Sequence, residues 1–200
     1  MLILLALFCA VASAQTTTLT APWLLVYDPE GRPRWEIHLE KLVRTQDGWE
    51  GEGVSITLFF KGSPTITVRA PRLFADPLGR RWSLEGGLSG EGQGFTFTAK
   101  EAHWADRLVL LGFSAQGKGM EITAEEVHWE LSGVLELFSA TVSSSQWTLR
   151  FPYGKYTEDL LAAQKVEAEG HGLNIFADHL EFYPEEGRAK FLGVKVVRRP

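Results

Sequence analysis

Cysteine is almost absent from this 200-residue chain: the only one, Cys9, lies within the apolar run MLILLALFCAVASA at 1–14. The rest of the chain therefore has no thiol for a disulfide framework or a cysteine-based metal site. A basic block is missing too, because the 20 Lys and Arg are scattered among 25 Asp and Glu. Nucleic acid is not an expected partner, since phosphate binding needs a clustered cationic surface.

No apolar run reaches the roughly 20 residues that a membrane-spanning helix needs. The run at 1–14 ends at Ala12-Ser13-Ala14, an A-x-A pattern typical of a cleavage site. We therefore expect a cleaved export signal at 1–14, a polar linker at 15–22 and one domain at 23–200. An uncleaved membrane tether and a cytosolic protein are the alternatives, since no Lys or Arg precedes the apolar run.

Catalytic and metal-binding signatures are missing as well. No HExxH motif is present. His103 and His128 occupy equivalent positions, each before a tryptophan, and a stacked pair of this kind could bind a metal. A solvated surface pair is the simpler interpretation, because no further ligands are evident. The sequence predicts no enzymatic activity, no metal and no cofactor.

Aromatic residues and glycine are plentiful, with 7 Trp, 12 Phe and 20 Gly, and a repeat organises them. FTFTAKEAHW at 95–104 is nearly repeated as MEITAEEVHW at 120–129. Six copies align on the anchor residues Leu39, Ala70, Ala99, Ala124, Phe151 and Ala177, which are separated by 31, 29, 25, 27 and 26 residues. Copies with such a period are typical of stacked supersecondary units.

Each copy begins as a strand with one apolar face. In FTFTA at 95–99 the Phe and Ala side chains alternate with Thr, a period of two. The next apolar residue after Ala99 is Ala102, three positions on, which predicts a bulge or bend that restores the apolar face. The sequence thus predicts an all-β fold of about a dozen antiparallel strands built from repeated strand pairs and closed as a sandwich, jelly roll or barrel.

One segment conflicts with this pattern. TEDLLAAQKVEAE at 157–169 has a helix-like composition, rich in Ala, Leu, Glu and Lys. The repeat frame makes it a return strand with Ala162, Val166 and Ala168 on one side. We follow the frame, because tertiary context often overrides propensity.

The repeat carries a resemblance to a known family. Strands of the pattern A-x-x-(A/V/L)-x-(W/F) occur at 99–104, 124–129 and 177–182, and glycine-containing return strands read LEGGLS at 84–89, LLGFSA at 110–115 and LGVKVV at 192–197. Together with VYDPEGRPRWEIHLEKL at 26–42, they resemble the OstA, LptA and LptC family of periplasmic lipopolysaccharide-transport proteins over roughly residues 23–197.

The resemblance implies a twisted β-jelly roll with an open apolar groove that takes up the acyl chains of lipopolysaccharide or a related glycolipid. It implies a periplasmic bridge component, joined edge to edge to other jelly-roll proteins and fed by an inner-membrane ABC transporter complex. Whether the role is LptC-like or LptA-like stays open, because the N-terminus lacks a full-length anchor.

The repeat frame selects the residues that would line such a groove, which are the inward side chains of the first half of each copy. They are Trp35, Ile37, Ile66, Val68, Ala70, Phe95, Phe97, Ala99, Met120, Ile122, Ala124, Trp147, Leu149, Leu173, Ile175 and Ala177. Each of them is equally compatible with an ordinary packed core. The alanines could keep the groove open or allow close sheet packing.

The terminal strands are the candidate partner edges, because an exposed strand edge invites pairing with another chain. The candidate edge residues are Leu24 and Val26 in WLLVY at 23–27, and Phe191, Val194 and Val196 in FLGVKVV at 191–197. Pro22, Lys195, Arg198 and Arg199 could instead prevent such pairing.

Two other functions fit the same sequence. A structural or adhesive β-solenoid of the envelope, without lipid transport, would suit the period, although two long half-strands per repeat fit a jelly roll better. A closed barrel that shuttles one small lipid is the second alternative.

Overall fold

The computed structural model describes residues 18–157 and 159–198, so the predicted signal at 1–14 lies outside the described residues. All elements in these ranges are β-strands, which confirms the all-β prediction. They are β1 (Thr18–Thr20), β2 (Trp23–Tyr27), β3 (Pro33–His38), β4 (Lys41–Arg44), β5 (Trp49–Phe60), β6 (Ser63–Ala75), β7 (Trp82–Glu85), β8 (Leu88–Gly92), β9 (Phe95–Ala99), β10 (Glu101–Trp104), β11 (Leu108–Gly117), β12 (Met120–Trp129), β13 (Leu135–Ser144), β14 (Thr148–Tyr156), β15 (Leu161–Gly170), β16 (Leu173–Tyr183) and β17 (Arg188–Arg198). A search of the described residues finds no helix with the length and hydrophobicity to span a membrane.

The strands form one antiparallel meander. Four successive pairs, β1/β2, β3/β4, β7/β8 and β9/β10, are the two halves of single long strands, since both members of each pair bond to the same neighbouring long strand. Joining these halves turns seventeen strands into thirteen long strands, each paired with the next along the chain. This agrees with the predicted dozen.

The sheet begins earlier than the predicted domain. β1 pairs with β4 and places Leu19 opposite Leu42. Residues 18–20 of the segment predicted as a polar linker are therefore part of the sheet, while residues 15–17 lie outside the described range. A single apolar residue among threonines is too short a pattern to indicate a strand.

Every long strand changes phase at one level of the sheet, as the three-residue spacing predicted. On the even-numbered long strands this level follows the six anchors, all buried: Leu39, Ala70, Ala99, Ala124, Phe151 and Ala177. On the odd-numbered long strands it holds residues with φ between 47° and 91°: Ala21, Gly53, Gly86, Gly112, Ser139, Lys165 and Gly193. A left-handed residue in a strand makes a bulge, and the bulge returns the apolar side chains to the inner face.

Replacement of Ser139 by glycine should stabilise the fold. Its φ of 50° is a left-handed conformation that costs a non-glycine residue about 1 kcal/mol. We expect Ser139→Gly to raise the free energy of unfolding by roughly 0.5–1 kcal/mol in urea titrations. The matched control, Thr141→Gly two residues on, should lower it by a similar amount, because glycine weakens a regular strand. Equal losses in both variants would contradict the bulge.

The helix-like segment is indeed a strand, β15. Its buried side chains are Leu161, Ala163, Val166 and Ala168. The inward placement predicted for Ala162 is wrong, because this residue pairs with Lys155 and Glu181 on the outer face. The left-handed bulge at Lys165 reverses the phase between Ala163 and Val166.

The bend divides each long strand into two halves, and the halves form two facing layers. Layer A contains β2, β3, β8 and β9, with residues 54–60, 63–70, 113–117, 120–124, 140–144, 148–151, 166–170, 173–177 and 194–198; layer B contains β1, β4, β7 and β10, with the other halves. The ring centre of Trp35 in layer A lies 6.3 Å from Trp82 and 6.4 Å from Trp104 in layer B. Because Trp35 meets strands three and four positions further along the sheet, the layers are twisted against each other, as in a twisted jelly roll.

Candidate lipid-binding interior

The sixteen predicted groove residues all lie in or next to the strands of layer A. Fourteen are buried, with exposed fractions between 0% and 9%, and Trp147 and Leu173 are half-buried against the same core. The register brings them together on one face rather than scattering them. Whether this face binds lipid stays a prediction, since burial alone is equally a property of a core.

One register row crosses the inner face of layer A from edge to edge. Its members, one per long strand, are Leu24, Ile37, Ile56, Val68, Gly90, Phe97, Ala115, Ile122, Val142, Leu149, Ala168, Ile175 and Val196. No member is polar. We call this set the central row, and it forms an unbroken apolar track across all thirteen long strands.

Layer B supplies a second wall, of which the sequence pattern predicted the apolar residues just beyond the bend: Ala102, Trp104, Val127 and Leu180, all of which are buried. One row near its end holds Trp49, Ala75, Trp82, Trp104, Leu108, Trp129, Leu135, Tyr156, Leu161, Phe182 and Ala189. The aromatic residue that ends each repeat motif was the available signal for this row. Assigning these aromatic residues to a second wall requires the knowledge that the two halves of each long strand face each other.

Layer B closes the middle of the interior. The ring centre of Phe97 lies 5.2 Å from that of Trp129 in layer B and 5.6 Å from that of Phe113, its neighbour in layer A. Phe97 is 3% exposed. The side chains of the protein therefore fill the space around the middle of the central row.

The track is open at its C-terminal end. Along the central row the exposed fraction is 1% at Ile122, 9% at Ile175 and 55% at Val196, and the inward Val194 is 48% exposed. Trp147, which directly precedes the tenth long strand (β14), already contacts Phe191 on the layer B half of the last strand. The inward side chains of the last half-strand of layer A, Val194 and Val196, are therefore left uncovered, whereas Ile175 and Ala177 on the neighbouring strand are still buried.

The N-terminal end of the track is also accessible, through Leu24, which is 41% exposed. Val26 and Phe191, the other two inward edge residues considered, are half-buried and pack against the core. In residues 18–157 and 159–198, β2 pairs only with β3, and β17 only with β16. Each terminal strand thus keeps one free hydrogen-bonding edge.

On the outer face of the N-terminal edge, polar side chains connect β2 to β3 by hydrogen bonds. The Trp23 indole N–H donates to Glu36 Oε1 at 2.7 Å, and His38 Nε2 lies 2.8 Å from the same oxygen. The hydrogen bond from Trp23, followed by that from His38, lowers the pKa of the Glu36 carboxyl below its ordinary value. Ionised Glu36 therefore links β2 to β3 at neutral pH.

The two histidines of the repeat do not form a stacked pair, because Val109 of β11 lies between His103 and His128 in the register. His128 contacts Glu126 and lies 3.7 Å from Glu136. Tyr153 donates to Glu136 at 3.4 Å, and burial together with this carboxylate raises the pKa of the Tyr153 hydroxyl. Across the described parts of the chain, no group of three or more His, Cys, Asp or Glu is placed to hold a metal ion.

Comparison with known proteins gives a limited result. No protein-family model matches the chain, and no curated protein does. Among solved structures, the chain is similar to LptH of Pseudomonas aeruginosa, the LptA-homologous periplasmic component of its lipopolysaccharide transport device. The sequences are 9% identical over 68% of this chain and 95% of that one, with a TM-score of 0.29. At that TM-score the function must be argued from the geometry of this chain alone.

Proposed function

We propose that this protein is a non-catalytic carrier of glycolipid acyl chains, of lipopolysaccharide or a related lipid. It would form one segment of a periplasmic bridge between the inner and outer membranes. The observation that supports this function is the central row, an uninterrupted apolar track that is buried in its middle and exposed at Leu24 and Val196.

An acyl chain can bury its methylenes most readily where the track is open. Exposing one methylene to water costs about 0.8 kcal/mol, so transferring an acyl chain of about 12 carbons from a membrane into water costs about 10 kcal/mol. Burial in the track offsets this cost. Val194 and Val196, with Ile175 and Ala177 opposite them in the register, provide an apolar entry surface. Movement toward Phe97 would require layer B to separate locally from layer A.

The free edges of β2 and β17 are suited to edge-to-edge assembly of several jelly rolls into a bridge. Pairing of the open edge of β17 with the open edge of β2 in another jelly roll would add backbone hydrogen bonds and extend the central row into the neighbour. Unlike edges joined head to tail give an open chain of subunits rather than a closed dimer. An inner-membrane ABC transporter complex would stand at the start of such a chain.

Adjacent valines on β17 give a matched test. Val196 faces inward and Val197 faces outward, and the two are 55% and 43% exposed. With a photo-crosslinking residue at either position in cell envelopes, we expect a glycolipid adduct at 196 at least ten times more abundant than at 197. Protein adducts at 196 without lipid would favour a purely structural β-repeat protein. Equal lipid labelling at both sites would contradict an inward-facing track.

A further inference from the structure

A cleft of about 730 Å³ opens at the end of layer B, away from the exposed ends of the central row. It lies where three turns meet, at residues 45–48, 76–81 and 105–107. Its volume falls within the range of sites for small organic ligands, which is about 300–1,000 Å³.

Aromatic residues form the walls and floor of the cleft. Trp49 and Phe74 are half-buried and supply the accessible ring surface. Trp82 and Trp104 close the floor, stacked with ring centres 5.8 Å apart and an interplanar angle of 10°. Ala75 separates Trp49 from Trp82 in the register, and its small side chain leaves the gap between them.

Unpaired polar groups surround these rings. Within residues 18–157 and 159–198, the carboxylates of Asp47 and Asp106 and the guanidinium of Arg81 have no salt-bridge partner, although all three line the cleft. The buried indole N–H of Trp82 has no hydrogen-bond acceptor. This donor is fully buried, as are the indole N–H groups of Trp35 and Trp129, so it is not part of the accessible lining of the cleft.

We propose that this cleft binds an uncharged saccharide. Sugar hydroxyl groups both donate and accept, so they can bind the carboxylates of Asp47 and Asp106 as well as the guanidinium of Arg81. The apolar face of a sugar ring can lie on Trp49 or Phe74.

The charges in the cleft disfavour the two charged ligand classes. A phosphorylated ligand would meet four carboxylates, those of Asp47, Glu50, Asp76 and Asp106, against one unpaired guanidinium, that of Arg81, because Arg107 is already paired with Glu136 at 3.3 Å. A cationic ligand would compete with Arg44, which lies 5.2 Å from the Trp49 ring centre, and with Arg34, 5.7 Å from that of Trp104.

The test is binding of the full-length protein to an array of neutral and phosphorylated mono- to tetrasaccharides, followed by calorimetry on the best neutral glycan. We expect neutral glycans to bind, and Asp47→Asn or Asp106→Asn to weaken binding at least tenfold without changing the melting temperature. Trp49→Leu should lose binding, while Trp23→Leu, at an exposed tryptophan on β2, and Asp178→Asn, at an exposed carboxylate on β16, should retain it.

Three outcomes would overturn the proposal: no glycan binds, phosphorylated glycans bind better than neutral ones, or the asparagine variants bind like the wild type. Trp49, Trp82 and Trp104 also belong to the layer B wall of the interior, but crosslinking at position 196 does not involve any residue of the cleft. Failure of either proposal would therefore be visible separately.

Discussion

We expect replacement of Phe97 by aspartate to unfold the protein, and the same change at the adjacent Thr98 to leave it folded. Phe97 is 3% exposed and contacts Phe113 and Trp129. Loss of a buried phenyl ring costs about 3–5 kcal/mol, and an unpaired buried carboxylate adds several more. That sum approaches the whole stability of a typical domain, about 5–15 kcal/mol.

Thermal unfolding followed by circular dichroism measures both variants. Thr98 is exposed on the outer face, so Thr98→Asp should melt within a few degrees of the wild type. Phe97→Leu, which preserves an apolar side chain, should remain folded with a lower melting temperature. A cooperative, wild-type-like transition for Phe97→Asp would mean that water already reaches the middle of the track.

Gly90 is the second position at which a small change should have a large effect. It faces Phe97 in the central row, and a Cβ added there would overlap the Phe97 ring and the Thr67 carbonyl oxygen. Because overpacking of a core typically costs about 1–3 kcal/mol, we expect Gly90→Ala to lose about 2–3 kcal/mol in urea titrations and Gly90→Val to fail to fold.

A double-mutant cycle identifies the cause. If the clash with the ring dominates, Gly90→Ala should be less harmful in a Phe97→Leu background, with a coupling energy of about 1 kcal/mol. Ser89→Ala, on the adjacent exposed residue, is the control and should be neutral. Additive losses would assign the effect to the Thr67 backbone instead.

These two residues belong to the closed part of the track, and Val194 and Val196 belong to its open part. The stability experiments therefore probe the closed state, while crosslinking on β17 probes lipid entry. Their separation in the fold matters, because a variant that disrupts the closed middle changes lipid capture through unfolding and not through a lost contact.

The repeat determined the strand pattern by itself. Alternation with a period of two depends on neighbouring residues only, and the three-residue step after Ala99 already predicted the bend. The anchors and the inward set of layer A were recognisable for the same reason. Even the helix-like segment 157–169 followed the repeat frame, apart from Ala162, whose direction depends on a bulge that its own composition does not indicate.

Only the tertiary structure decided which halves face each other and where the interior is open. The layers are twisted, so Trp35 meets Trp82 and Trp104 from strands that are distant in sequence, and the inward side chains of the last half-strand of layer A remain uncovered. Val196 is exposed and Ile122 is buried although both are apolar and inward-facing. Local sequence specifies the direction of a side chain, but its coverage depends on strands placed opposite it by the twist of the whole sheet.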